Sequence, residues 1–155
     1  MFVKEYKNIF LFGLLAGLAF PPLFFLICLP VSFYYLLNRL ILLDNYKKSF
    51  IYGLIFGFGF FLTQLYWISF SLLVDFKQFF WLLPFAITII PLICALQIAF
   101  TALTLSITIK KYFIKNKFCI AIIFSLYYIL FEYLRGLFFP WNLFSYILGF
   151  SDILI

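Results

Sequence analysis

FFWLLPFAITIIPLICALQIAFTALTLSITI, residues 79–109, runs from end to end without one charged side chain. About 20 apolar residues are enough for a helix to cross the hydrocarbon core of a bilayer. This stretch exceeds that length and has room to tilt, or to kink at Pro84 and Pro91, where a backbone donor is missing. In lipid every backbone N–H and C=O must be satisfied internally, which leaves helices or a closed barrel. Barrel strands alternate apolar and polar residues over short segments. Residues 79–109 do not alternate, so they are read as helix.

The same texture extends outward in both directions. The chain has 155 residues, of which 68% are hydrophobic and 10% charged. A soluble domain is nearer half apolar and a quarter charged. Further apolar runs lie at residues 9–20, 23–43, 50–74 and 118–134, and a last one at 141–155 is still apolar where the sequence ends. No internal repeat, low-complexity tract or soluble linker interrupts them. The expected fold is an all-α membrane protein, a polytopic transmembrane bundle of about five or six helices forming one domain over residues 1–155. Lys4 and Lys7 precede the first run as in a signal peptide, but no small-x-small cleavage site follows, so an uncleaved first helix is expected.

Lysine and arginine favour the cytoplasmic side of a membrane, and their placement depends on Pro21-Pro22. With a turn there and the N-terminus inside, nine basic residues fall on inside segments and two, Lys77 and Arg135, outside. With a kink instead, Arg39, Lys47 and Lys48 move outside and the bias largely disappears. Two short helices joined by a tight outside turn, with a cytoplasmic N-terminus, are therefore expected, a re-entrant first pair being the alternative. The net charge of +6 is a topology signal on this reading; no nucleic acid is implied.

Few residues offer chemistry. There is no histidine, which removes the commonest general base and metal ligand. Cys28, Cys94 and Cys119 sit singly on separate runs, without ligand spacing, and are expected to be buried packing residues. No hydroxyl has a base placed to activate it, and Thr88, Thr101, Thr104, Thr108, Ser69, Ser71 and Ser125 are expected to bond back to their own helices. No catalytic residue, cofactor or metal ligand is therefore assigned. Polar groups inside lipid each need an account. Gln64 and Gln97 read as amides bonding across helices. Glu132 and Arg135, at i, i+3, share a helix face and can pair, either as a structural ion pair at the membrane surface or as a polar floor beneath an outward-facing site. Gly13/Gly17 and Gly53/Gly57 form two G-x-x-x-G surfaces suited to close helix packing. Trp81 and Trp141 stand at run starts, where interfacial anchoring is expected.

Three ordered segments resemble the N-terminal membrane region of the apolipoprotein N-acyltransferase family. Gly13-Leu14-Leu15-Ala16-Gly17-Leu18-Ala19-Phe20-Pro21-Pro22 is similar to its glycine-rich first helix and Leu-Ala-Phe-x-Pro turn. Gly57-Phe58-Gly59-Phe60-Phe61, continuing to Tyr66-Trp67-Ile68-Ser69-Phe70-Ser71, resembles its third helix. Glu132-Tyr133-Leu134-Arg135-Gly136 followed by Pro140-Trp141 is similar to its Glu-Phe-Leu-Arg-Gly and Phe-Pro-Trp, with only Leu137-Phe138 between Gly136 and Phe139-Pro140-Trp141. Trp67, Glu132, Arg135, Gly136, Pro140 and Trp141 are the candidate motif residues that this resemblance supplies.

The resemblance implies a bacterial inner-membrane, multi-pass location. It implies a pathway in which phospholipid donates an acyl group to the N-terminal cysteine of a lipoprotein. The family's chemistry belongs to a periplasmic nitrilase-like domain with a Cys nucleophile, a Glu base and a Lys. None of that domain is present in this sequence, so the chain is expected to be inactive alone, with a separately encoded catalytic half as one conceivable partner. A reading from another class, a small non-enzymatic membrane protein such as a transporter subunit or assembly factor, rests on the paired G-x-x-x-G surfaces.

Overall fold

The structure, a computed structural model, describes residues 2–20, 23–66 and 80–138. These residues are all-helical: α1 (Phe2–Gly17), α2 (Cys28–Ile41), α3 (Tyr46–Gln64), a 3-10 turn (Phe80–Leu82) leading into α4 (Leu83–Tyr112), and α5 (Lys117–Phe138). The starts of α3 and α5 are written locally. Asn45 accepts from the Lys47 N–H at 2.8 Å, and Asn116 accepts from the Phe118 N–H at 2.9 Å. Each side chain satisfies a donor that the first turn leaves orphaned. Pro84 sits in the first turn of α4, where its missing N–H costs nothing. The helix continues through a buried Pro91.

The helices do not share boundaries with the apolar runs. α1 begins at Phe2 and takes in Lys4, Glu5, Lys7 and Asn8, then ends at Gly17. α5 continues past Leu134 to Phe138, carrying Gly136 inside its last turn. The expected back-bonding of hydroxyls holds for those described. Thr88 bonds the Pro84 carbonyl, Thr101 that of Gln97, Thr104 that of Phe100, Thr108 that of Thr104, and Ser125 that of Ala121. Ser69, Ser71, Asp75 and Lys77 lie outside the described residues.

Cross-helix contacts give the helix directions. Phe12 stacks on Tyr35 with ring centroids 3.9 Å apart, and Glu5 lies 4.0 Å from Arg39, so α1 and α2 are antiparallel. A turn rather than a kink therefore separates them. α1 and α3 run parallel, since Tyr52 donates to Glu5 at 2.9 Å while Gly13 faces Phe56 and Gly17 faces Thr63. α3 is antiparallel to α4, with the Ser49 hydroxyl 3.1 Å from that of Ser106. α5 returns antiparallel along α4, with Thr108 and Tyr127 hydroxyls 2.8 Å apart. Arg39, Lys47, Lys48, Lys110, Lys111, Lys115 and Lys117 thus share one end of the bundle with the start of α1.

α3 is the central helix, and its glycines make it so. A Cβ on Gly53 would stand 2.8 Å from the Ala99 Cα, and one on Gly57 would stand 3.0 Å from the Ala95 Cα. On another face, a Cβ on Gly59 would meet the Phe10 carbonyl at 2.6 Å, while one on Gly13 of α1 would meet the Phe56 carbonyl at 2.2 Å. Backbones approach this closely only where no side chain intervenes. Both G-x-x-x-G surfaces are consumed inside the bundle, so they no longer argue for a docking surface. Phe56, Phe60, Phe61, Leu36, Ile98 and Leu105 fill the core around them.

α4 and α5 are the two described helices long and apolar enough to cross a membrane, with mean hydropathy 2.2 and 1.7 over their best windows. At a rise of about 1.5 Å per residue the 30 residues of α4 reach roughly 45 Å. Both present wide apolar surfaces outward. Phe85, Ile89, Leu92, Ile93, Leu96 and Phe100 are exposed on α4, and Ile122, Leu126, Ile129, Leu130, Leu134 and Leu137 on α5. A monomer in water does not sustain a contiguous patch of that extent, whereas lipid covers it at no penalty.

Candidate functional site

The third motif is brought together with the middle of α4. Arg135, in the last turns of α5, sends its guanidinium across to α4, where its Nε donates to Gln97 Oε1 at 2.8 Å. The same guanidinium lies over the Phe61 ring of α3, 5.7 Å from its centroid. One side chain thus touches three helices. Glu132 lies one turn earlier on that face and is 8% exposed. Tyr128, a further turn back, is equally buried and within electrostatic reach of both Glu132 and Arg135. Cys94, one turn before Gln97, faces Arg135 as well. Phe100 stacks on Phe131 at 5.9 Å and closes the layer on the same side.

This arrangement supplies what a charge in an apolar bundle needs. A guanidinium taken out of water must be hydrogen-bonded and paired to be tolerated. Gln97 provides the bond across helices, as expected of it. Gln64 does not behave the same way: it is 3% exposed, and neither atom of its amide has a partner among the described residues. Of the cysteines, Cys94 meets the expectation and Cys119 does not. Cys94 is buried, Cys28 half-buried and Cys119 exposed, because Cys119 falls on the outward side of the first turn of α5. Trp81 is exposed in the 3-10 turn, as an interfacial residue would be. Trp67, Pro140 and Trp141 lie outside the described residues.

Beside the polar layer runs a groove between α2 and α5. It holds about 510 Å³, within the roughly 300–1,000 Å³ of small-molecule sites. Phe33 of α2 forms its floor and touches Phe124 and Tyr128 of α5, each with ring centroids 5.7 Å away. Leu29, Leu37, Ala121 and Ile129 make its apolar walls, and Glu132 stands at one end. Neither the groove nor the role of Tyr128 was read from the sequence. The spacing Tyr128-Glu132-Arg135 was a usable signal, since i, i+4 and i+7 lie on one helical face.

At the opposite end, Tyr52 of α3 donates to Glu5 of α1, which also faces Arg39 of α2. Tyr6 meets Tyr52 edge-on at 5.4 Å. This cluster ties three helix ends together.

The profile of the apolipoprotein N-acyltransferase N-terminal domain matches residues 12–154. Apolipoprotein N-acyltransferase of Rickettsia typhi is 41% identical over 94% of this chain and 29% of its own length. The Rickettsia prowazekii protein of the same name is 40% identical over 94% of this chain and 28% of its own length. That of Rhizobium etli is 31% identical over 86% of this chain and 26% of its own length. The chain spans less than a third of the length of these relatives. No solved structure matches it significantly. The chain belongs to the apolipoprotein N-acyltransferase family, and it corresponds to that family's N-terminal domain.

Proposed function

We propose that this chain is the lipid-facing membrane domain of an apolipoprotein N-acyltransferase. It anchors a periplasmic catalytic domain and admits phospholipid to it, in the reaction that N-acylates lipoproteins. The N-terminus is cytoplasmic and the chain crosses the bacterial inner membrane several times, with spans centred on the apolar runs, a last one at 141–155 included; the third stops short of residue 74 because α3 ends at Gln64. The observation that carries this reading is the groove between α2 and α5. It is apolar along its length, opens sideways where lipid lies, and ends at the buried Glu132 beside Arg135. An acyl chain fits the walls, and the polar layer gives a headgroup somewhere to stop. Glu132 and Arg135 support and orient this end of the bundle; no bond is made or broken by them. The chain alone is expected not to transfer an acyl group, since the resemblance assigns the family's Cys nucleophile, Glu base and Lys to a nitrilase-like domain distinct from the matched N-terminal domain.

The test is triacylation of a lipoprotein N-terminus, read by mass spectrometry in cells depleted of their own enzyme. The chain alone is expected to give none. The chain joined to the catalytic domain of the Rickettsia typhi relative is expected to restore it, and Ser125→Phe, which plugs the groove, to lower it. Acylation by the chain alone would end the claim of dependence. An unaffected Ser125→Phe fusion would end the role of the groove.

A further inference from the structure

The connection from α4 to α5, at the end of the bundle away from Glu132, reads Lys110-Lys111-Tyr112-Phe113-Ile114-Lys115-Asn116-Lys117-Phe118 and contains no acid. Its rings point out: Tyr112 is 65%, Phe113 83% and Phe118 72% exposed. Phe113 has φ 50° and ψ 41°, a left-handed conformation that residues other than Gly, Asn and Asp rarely take. The position just past a helix end ordinarily holds glycine for that reason. Here a large apolar ring occupies it instead, while its N–H still caps α4 on the Ile109 carbonyl. The left-handed turn therefore presents the ring outward at the head of the loop.

Lys110 and Lys111 complement the C-terminal end of α4, whereas Lys117 stands at the start of α5. Lys110 folds back to the Asp44 carbonyl and over the Tyr46 ring, 4.3 Å from its centroid. Lys111, Lys115 and Lys117 are exposed. Lys117 opens α5, and Lys47 and Lys48 open α3, and neither helix has an acidic residue in its first turn. The N-terminal end of a helix carries partial positive charge and favours anions. The N-terminal end of α5 thus carries a lysine with no acidic residue in its first turn, whereas Asp44 stands just ahead of the lysines that open α3.

We propose that this loop is an anchor for anionic phospholipid: Tyr112, Phe113 and Phe118 enter the headgroup boundary of the adjacent leaflet, and Lys111, Lys115 and Lys117 hold lipid phosphate groups. Aromatic rings favour that boundary, and juxtamembrane lysine clusters favour anionic lipid. The loop joins the two helices best suited to cross a membrane, which sets it in the plane of the headgroups. The site is independent of acyl transfer and lies beyond the function proposed above.

The test uses the 155-residue chain purified in mixed micelles of equal phosphatidylglycerol and phosphatidylcholine, with retained lipid counted by native mass spectrometry. Phosphatidylglycerol is expected to be enriched. The triple variant Lys111→Gln, Lys115→Gln, Lys117→Gln is expected to lose at least about fivefold of that preference, the factor for one lysine at an anionic surface. The corresponding triple Lys→Arg variant keeps it. Single Lys→Gln variants, each losing up to about fivefold, serve in place of the triple if it does not elute like the parent. In vesicles of the same lipids, and in a background with Trp67, Trp81 and Trp141 replaced by Phe, Phe113→Trp is expected to be quenched by lipid brominated near the glycerol. An unchanged lipid ratio in the Gln variants, equal loss in the Arg variant, or an unquenched Phe113→Trp would each overturn the proposal.

Discussion

Replacing Gly13 by alanine adds one methyl group where α1 crosses α3. On the existing backbone that Cβ would stand 2.2 Å from the Phe56 carbonyl oxygen, 3.0 Å from its carbon and 3.2 Å from its Cα. An ordinary carbon–oxygen contact is about 3.3 Å or more, so the helices must separate by roughly 1 Å. All three neighbours are backbone atoms and no side chain can rotate away. A gap of that size forfeits about a quarter to a half of the dispersion energy of the atoms lining it. Overpacking of this kind costs about 1–3 kcal/mol, against which alanine recovers up to about 1 kcal/mol of helix propensity. A net loss of about 1–2 kcal/mol is expected. Gly57→Ala is the internal comparison. Its Cβ would meet Ala95 atoms at 3.0 and 3.1 Å, which a shift of a few tenths of an ångström relieves, so the change is expected to be within about 0.5 kcal/mol of the parent. Gly59→Ala, with the Phe10 carbonyl at 2.6 Å, should side with Gly13→Ala. The assay is SDS titration of the detergent-solubilised chain followed by circular dichroism. A Gly13→Ala protein as stable as Gly57→Ala would refute the claim that α1 and α3 are held in backbone contact.

Two further outcomes follow from the same packing. A double-mutant cycle with Arg135→Leu and Gln97→Leu should give a coupling of about 1–2 kcal/mol, as for an interhelical hydrogen bond to a charge; a coupling near zero would mean that the bond does not form in lipid. In membranes, a small lipid-soluble maleimide should modify Cys119 well ahead of Cys94, which is 2% exposed, and peptide mass mapping of the labelled protein checks the order.

Much of this architecture was legible because lipid restricts what a sequence can do. Pro21-Pro22 and the distribution of basic residues together favoured a reversal between the first two runs, and the Phe12–Tyr35 stack is the physical result. The paired glycines pointed to close packing, and Ala95, Ala99 and Phe56 are what they pack against. The spacing of Glu132 and Arg135 identified a shared face. It could not identify Gln97 as the acceptor, because which residues stand level on two helices depends on loop lengths and tilt, and neither is encoded in a single-helix pattern. The groove escaped for a related reason. It is the space left where α2 leans mainly on α1 and α5 on α4, with Phe33 bridging the two at its floor, and no residue of either helix advertises a gap. Cys119 was misjudged as buried because a cysteine's preference for apolar surroundings is met equally by lipid.

The position of α3 between α1 and α4 has a consequence for biogenesis. Its Gly59 side can seat against α1 as soon as it leaves the translocon, since α1 has already been made. The Gly53 and Gly57 side, with the Ser49 hydroxyl that bonds Ser106, has no counterpart until α4 is synthesised. A nascent chain stopped between the two would present a half-assembled helix with bare glycine backbone facing lipid. The close seat of those glycines is completed only when α4 packs beside α3.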